Sequence, residues 1–250
     1  MAGRLRDKVA LVTGAGSGIG RATALLFTAE GAKVAALDWR QEAAAETARL
    51  IEEGGGEAIA LAADVSREED VAAAVEATVA GFGRLDVLVA SAGIDLFARA
   101  TDTKLEDWER VQSVDLRGVF LCCKYAIPHM ERQGGGAIVT LSSVNGLVGV
   151  PVHAAYAAAK GGVISLTRQL AVDYGPANVR VNCICPTTTD TPMVRAVAND
   201  AILETLARMH PLRRIAQAED VAYAALYLAS DEARCVTGVV LPVDCGWTAQ

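Results

Sequence analysis

The sequence predicts an α/β protein: a single domain, residues 1–250, built as a doubly wound parallel sheet with helices on both faces. Three observations carry that expectation. Short apolar runs alternate with longer helical segments along the whole chain. The apolar runs are continuous, as in strands covered on both faces. No linker, low-complexity tract or internal repeat breaks the order.

The elements follow in sequence. Residues 8–13 (KVALVT) form a strand ending at glycines, and residues 18–30 a helix. Residues 33–38 are the second strand, and 41–53 a helix stopped by Gly54, Gly55 and Gly56. Residues 58–64 are the third strand, after which Ser66 is expected to cap a helix with an acidic first turn. Residues 87–91 are the fourth strand, and a long helix over 105–132 ends at Gly134, Gly135 and Gly136. A strand over 137–141, a helix over 153–174 and a strand over 179–185 stopped by Pro186 come next. A helix over 219–230 and a strand over 239–243 complete the chain. In such a sheet a ligand sits at the carboxyl ends of the strands, where strand order reverses.

Composition narrows the partners. The chain is 52% hydrophobic and carries a net charge of -7, with no block of like charge, which gives no electrostatic footprint for nucleic acid. The apolar stretch at 9–13 is far below the ~18 residues that span a bilayer, so a cytoplasmic protein without membrane attachment is expected. Cysteines stand at 122, 123, 183, 185, 235 and 245, none in a CxxC spacing. Cys183 and Cys185 share one face of a strand and read as small buried residues; no metal site is expected.

Two local patterns carry chemistry. The glycine-rich run 13–20 (TGAGSGIG) lies between the first strand and the first helix. Glycine there permits a tight turn and close backbone approach, and the helix N-terminus suits a pyrophosphate. Asp38 ends the second strand about 20 residues on, where a carboxylate accepts hydrogen bonds from ribose hydroxyls and repels a 2′-phosphate. Ser17 and Trp39 are not basic, and Arg40 must compete with Asp38, so NAD is expected over NADP. Asp64-Val65 ends the third strand and suits either a turn or an adenine contact. Tyr156 and Lys160, four residues apart on one helix face, form the second pattern. An ammonium beside a phenol favours the phenolate, so a lowered Tyr156 pKa is expected.

With these landmarks the chain resembles the short-chain dehydrogenase/reductase family over essentially its whole length. The matching residues are the 13–20 run, Asp64-Val65, Ser91-Ala92-Gly93, Ser142-Ser143, Tyr156 with Lys160, Asn182 with Pro186, Thr191-Pro192-Met193, and Val243-Asp244, in the family's order. The resemblance implies a Rossmann-like fold and hydride transfer between NAD(H) and a secondary alcohol or ketone. It implies catalytic roles for Ser143, Tyr156 and Lys160, with Asp115 nearby. It implies cofactor contacts from Gly14, Ser17, Gly18, Ile19, Gly20, Asp38, Trp39, Asp64, Val65, Ala92, Gly93, Pro186, Thr189, Thr191 and Met193, together with Tyr156 and Lys160. Substrate contacts fall to Ser143, Asn145, His153 and Tyr156. A homotetramer is implied through the 105–132 and 153–174 helices and the C-terminal segment; Val119, Phe120, Cys122 and Cys123 are expected to leave apolar surface on the first of these.

Four positions depart from the family pattern. Asp115 stands where an asparagine is usual, Ala90-Ser91 where two asparagines are frequent, and Thr187 and Cys245 where glycines are usual. Asp115 keeps the shape of asparagine but loses the amide donor. Together with Thr187 it motivates a rival reading, a non-catalytic NAD-binding protein that retains the fold. His129 and His210 read as surface or helix-end residues. Residues 191–212 read as a substrate lid, its inner face formed by Met193, Val194, Val197, Ile202, Leu203 and Met209, which favours an apolar or cyclic alcohol; Asp95, Asn145 and His153 add polar contacts for a second hydroxyl.

Overall fold

A computed structural model describes residues 3–250. In chain order the elements are β1 (Val9–Thr13), α1 (Gly18–Ala29), β2 (Lys33–Asp38), α2 (Gln41–Glu53), β3 (Ala58–Ala62), α3 (Glu68–Phe82), β4 (Val87–Ala90), α4 (Leu105–Gln112), α5 (Gly118–Arg132), β5 (Gly136–Leu141), α6 (Ala154–Tyr174), β6 (Val179–Pro186), β7 (Thr189–Asp190), α7 (Pro192–Arg195), α8 (Asp200–Met209), β8 (Ala216–Gln217), α9 (Ala218–Ala229) and β9 (Val240–Val243).

Seven strands form one sheet in the order β3-β2-β1-β4-β5-β6-β9. Its ladders are all parallel. Strand order reverses at β1, where Thr13 lies opposite Leu37 on one side and Ala90 on the other. The period-two alternation of strand side chains divides the core into two layers. Leu11, Leu37, Leu88, Ile138 and Cys183 pack with α3, α5 and α6 on one face. Ala10, Val12, Val89, Val139 and Ile184 pack with Phe27 of α1 and Leu228 of α9 on the other. Cys183 and Cys185 are both buried in the first layer.

Several expectations are corrected. β3 ends at Ala62, and Ser66 does not cap α3. The helix begins at Glu68, which puts Arg67 at the cap position, and the Ser66 hydroxyl donates to Asp64 Oδ1 at 2.7 Å in the turn before it. The 105–132 segment is continuous but not uniformly α-helical: one π-helical turn, Ser113–Arg117, separates α4 from α5. Val119, Cys122 and Cys123 are buried against the sheet, and only Phe120 of the four is well exposed, at 45%. His210 is not a surface residue; it is 2% exposed, held between α8, the end of β6 and Trp247. Among the described residues, no helix is long and apolar enough to cross a membrane.

Candidate active site

At the carboxyl ends of the strands lies a cavity of about 1060 Å³, and every residue assigned above to catalysis, cofactor or substrate lines it. Its floor at the switch point is the turn between β1 and α1. Gly14 has φ +67°, and a Cβ there would come within 2.9 Å of Ala92 Cα, so the chain passes too close for a side chain. A Cβ on Gly20 would lie 2.2 Å from the Gly14 carbonyl oxygen. The Thr13 hydroxyl fixes the facing loop by accepting from the N–H groups of Ser91 and Ala92, both at 3.0 Å. Ser91 thus holds its place by backbone, without the second polar side chain that Ala90 lacks.

Asp38 is 5% exposed at the end of β2. Its Oδ2 accepts from Gly16 N–H at 3.0 Å and its Oδ1 from Arg40 N–H at 3.0 Å. Each carboxylate oxygen keeps a lone pair free for a further donor in the cavity. The Arg40 Nε is 3.7 Å from Oδ1, so the nearest cation is already engaged with this acid. A glycine cradle, a helix N-terminus and a buried acid in this order fit an adenosine diphosphate group.

The other end of the cavity is built by β5 and α6. Ser143 follows β5, and Tyr156 and Lys160 stand one turn apart on α6. Two hydrogen bonds clamp that helix to the strand end: Lys160 Nζ donates to the Leu141 carbonyl at 3.0 Å, and the Ser142 hydroxyl to the Lys160 carbonyl at 2.8 Å. The ammonium is 5.4 Å from the Tyr156 ring centre. Ser142 is therefore a scaffold group and Ser143 the hydroxyl that faces the cavity.

Asp115 sits in the π-helical turn and is fully buried. That turn re-aims one side chain out of a long helix. Its Oδ1 accepts from Ile94 N–H at 2.9 Å, and its Oδ2 lies 3.1 Å from Lys160 Nζ. This oxygen has no aligned hydrogen bond, so the contact is an ion pair rather than a directed one. Burial raises the Asp115 carboxyl, with Lys160 opposing. Burial works against the Lys160 charge, but Asp115 and Tyr156 together outweigh it and hold Lys160 above the usual lysine range. The lowered Tyr156 pKa expected from the Tyr/Lys spacing is not found. The phenol is pushed up to about 12: burial is the largest cause, Asp115 and Asp95 add to it, and Lys160 and a hydrogen bond with Ser143 oppose it. Spacing revealed the cation but not the buried acid that offsets it.

Beyond Tyr156 the cavity is closed by Met193 and Val194 of α7, Ile202 and Met209 of α8, and Val197 in the link between the two helices. Leu203, expected on that inner face, is buried elsewhere in the packing and does not line the cavity. Leu206, His210 and Trp247 do, and the sequence reading missed them. The helical period from Ile202 to Leu206 and Met209 would have found Leu206; Trp247 arrives by tertiary packing alone. His210 Nδ1–H donates to the Leu206 carbonyl at 2.7 Å, and the Thr187 hydroxyl donates to Nε2 at 2.6 Å. Thr187 takes no left-handed backbone, whereas Cys245 does, at φ 52°.

This doubly wound sheet with a glycine turn at its switch point and a Ser/Tyr/Lys cluster beside it defines a Rossmann-like oxidoreductase. Residues 14–248 match the family described as Enoyl-(Acyl carrier protein) reductase. The chain belongs to the short-chain dehydrogenase/reductase family, whose dehydrogenases use nicotinamide cofactors and act on hydroxyl groups. It is 45% identical over 244 residues to cis-4-hydroxycyclohexanecarboxylate dehydrogenase of Sinomonas cyclohexanicum, covering 97% of each chain. It is 41% identical over 254 residues to 2-(S)-hydroxypropyl-CoM dehydrogenase 3 of Xanthobacter autotrophicus, covering 100% of each. The crystal structure of levodione reductase superposes with a TM-score of 0.94 at 37% identity, covering 98% of this chain and 99% of that one.

Proposed function

We propose that this protein catalyses the reversible oxidation of a secondary alcohol to a ketone with NAD as cofactor. One observation carries the reading: Ser143, Tyr156 and Lys160 line the same cavity as the glycine turn and Asp38. A bound nicotinamide supplies the hydride acceptor and, when oxidised, a positive charge. Tyr156 takes the proton of the substrate hydroxyl, and Ser143 holds that oxygen by a hydrogen bond. Lys160 favours the phenolate and offers a donor toward a ribose, while Asp115 fixes the ammonium. Asp38 supports NAD over NADP, because its buried carboxylate would face the extra phosphate with like charge. The apolar wall from α7 and α8 supports a cyclic or otherwise apolar carbon skeleton, with this segment acting as a lid. The relatives differ too widely in substrate to name one by similarity.

The test is steady-state turnover of a panel of secondary alcohols, diols, sterols and sugars with NAD and with NADP, followed by the absorbance of reduced nicotinamide. NAD-dependent oxidation of at least one alcohol is expected. Cofactor binding without turnover across the panel would favour the non-catalytic reading, and a higher kcat/KM with NADP would overturn the role of Asp38.

A further inference from the structure

The substrate end of the cavity holds two side chains that the proton-transfer step does not use. Asp95 follows β4 and His153 precedes α6; their side chains are 19% and 12% exposed, and both line the cavity with Ser143 and Tyr156. The two segments are stitched together by Ala98 N–H donating to the Val152 carbonyl at 2.7 Å. Val152 has φ 60°, a costly conformation for a β-branched residue, and it turns the chain directly into His153. The Phe97 ring packs edge-on against the imidazole, with ring centres 4.7 Å apart. The position of His153 is therefore set by its surroundings.

The hydrogen-bond inventory of this pair is incomplete. His153 Nδ1 lies 2.6 Å from the Pro151 carbonyl oxygen, which has only lone pairs, so Nδ1 carries a hydrogen. In the neutral ring Nε2 is then a bare acceptor. It faces Asp95 Oδ2, also an acceptor, at 3.7 Å, beyond hydrogen-bond reach. The second carboxylate oxygen is taken by Leu96 N–H at 2.7 Å. Burial pushes the Asp95 carboxyl up, with His153 and the Leu96 N–H opposing.

We propose that Asp95 and His153 form a subsite for a second hydroxyl of the substrate, so that the preferred substrates are cyclic diols rather than simple alcohols. This rests on the dehydrogenase reading above and assigns its substrate class. A hydroxyl fits either state of the ring: it donates to Asp95 or to a bare Nε2, and it accepts from a protonated Nε2 while donating to Asp95. With the neutral ring, a keto or carboxylate oxygen has no hydrogen to give and adds a third acceptor to the pair, and with the protonated ring it leaves Asp95 without a donor. The imidazole and Tyr156 ring centres are 6.2 Å apart, so one small cyclic substrate can touch both groups.

The experiment compares cyclohexane-1,4-diol, cyclohexanol, 4-hydroxycyclohexanone and 4-hydroxycyclohexanecarboxylate. A hydrogen bond to a charged group is worth about 1.5–3 kcal/mol, so kcat/KM for the diol should exceed that for the other three by roughly ten- to a hundred-fold. Asp95→Leu removes both carboxylate oxygens, and His153→Phe keeps the ring packing and removes Nε2. Each single variant leaves one acceptor for the hydroxyl, so the ratio of diol to cyclohexanol should fall in each and reach within about two-fold of unity when both variants are combined. A second measurement is calorimetric binding of the four compounds to Tyr156→Phe protein saturated with NADH, where the same order is expected without turnover. Equal binding of diol and cyclohexanol, or a diol preference that survives both variants, would overturn the subsite. Preferential diol binding with no turnover by the unmodified protein would support the subsite and count against the dehydrogenase reading alone.

Discussion

Replacing Asp115 by asparagine removes one buried negative charge and keeps the shape of the side chain. The amide oxygen can still accept from Ile94 N–H, the contact that now measures 2.9 Å. What disappears is the charge 3.1 Å from the Lys160 ammonium. With it goes part of the push that holds the Tyr156 phenol at about 12. Lys160 Nζ is 5.4 Å from the Tyr156 ring centre and 3.1 Å from Asp115 Oδ2, so that charge lies within about 8.5 Å of the ring, and at an effective dielectric of about 20 a unit charge at that distance contributes about 2 kcal/mol, or about 1.5 pK units. Alcohol oxidation needs the phenolate, so its rate rises with pH through the Tyr156 ionisation. Removing a negative charge favours the phenolate and lowers that pKa. In Asp115→Asn the rising limb of kcat against pH should move to lower pH by about one to one and a half units. The assay is the pH profile of oxidation at saturating NAD, with circular dichroism to verify the fold and NAD affinity measured alongside. A limb that stays in place or moves to higher pH would refute the electrostatic argument, because it would mean that Asp115 does not govern the ionisation of Tyr156.

Three further outcomes are expected. Tyr156→Phe should bind NAD as before but lose ~10²–10⁴-fold in kcat, the usual worth of general acid/base catalysis; Lys160→Ala should weaken both kcat and NAD affinity, and near-normal turnover in the Phe variant would defeat the mechanism. Asp38→Ala should narrow the NAD over NADP preference chiefly by improving NADP use, read as the ratio of kcat/KM values. Light scattering should report a homotetramer at micromolar concentration, built on exposed apolar residues such as Leu105, Phe120 and Val172; a stable monomer would exclude it.

How far the sequence could be read depended on the range of the interactions. Glycine turns, strand ends and the four-residue spacing of Tyr156 and Lys160 are local, and the structure brings the residues they mark to one cavity. The π-helical turn at Ser113–Arg117 has no sequence signature of its own, because Asp115 is compatible with an ordinary helix. The burial of Val119, Cys122 and Cys123 depends on which face of α5 meets the sheet, and a helix that is apolar over most of its girth does not declare that face. His210 does stand at a helix end, the C-terminus of α8, but a polar residue there reads as exposed unless its partners are known. Thr187 and Leu206, 23 and four residues away, are those partners. The sign of the Tyr156 shift failed at longer range still, since it turns on a charge contributed by a different helix.

The clamp between β5 and α6 has an implication for how such a protein can diversify. Ser143, Tyr156 and Lys160 ride on the sheet end and on a helix bound to it through Leu141 and Ser142, so their mutual geometry is inherited from the interior. The opposite wall comes from α7, α8 and the link between them, whose cavity side chains are partly solvent-facing, with Val197 in the link at 58% and Ile202 at 45% exposure. Redrawing those side chains leaves the clamp untouched. That wall is thus mechanically decoupled from the geometry of Ser143, Tyr156 and Lys160, and exchanging its exposed cavity positions between related proteins is a route to new substrates that does not require the clamp to be rebuilt.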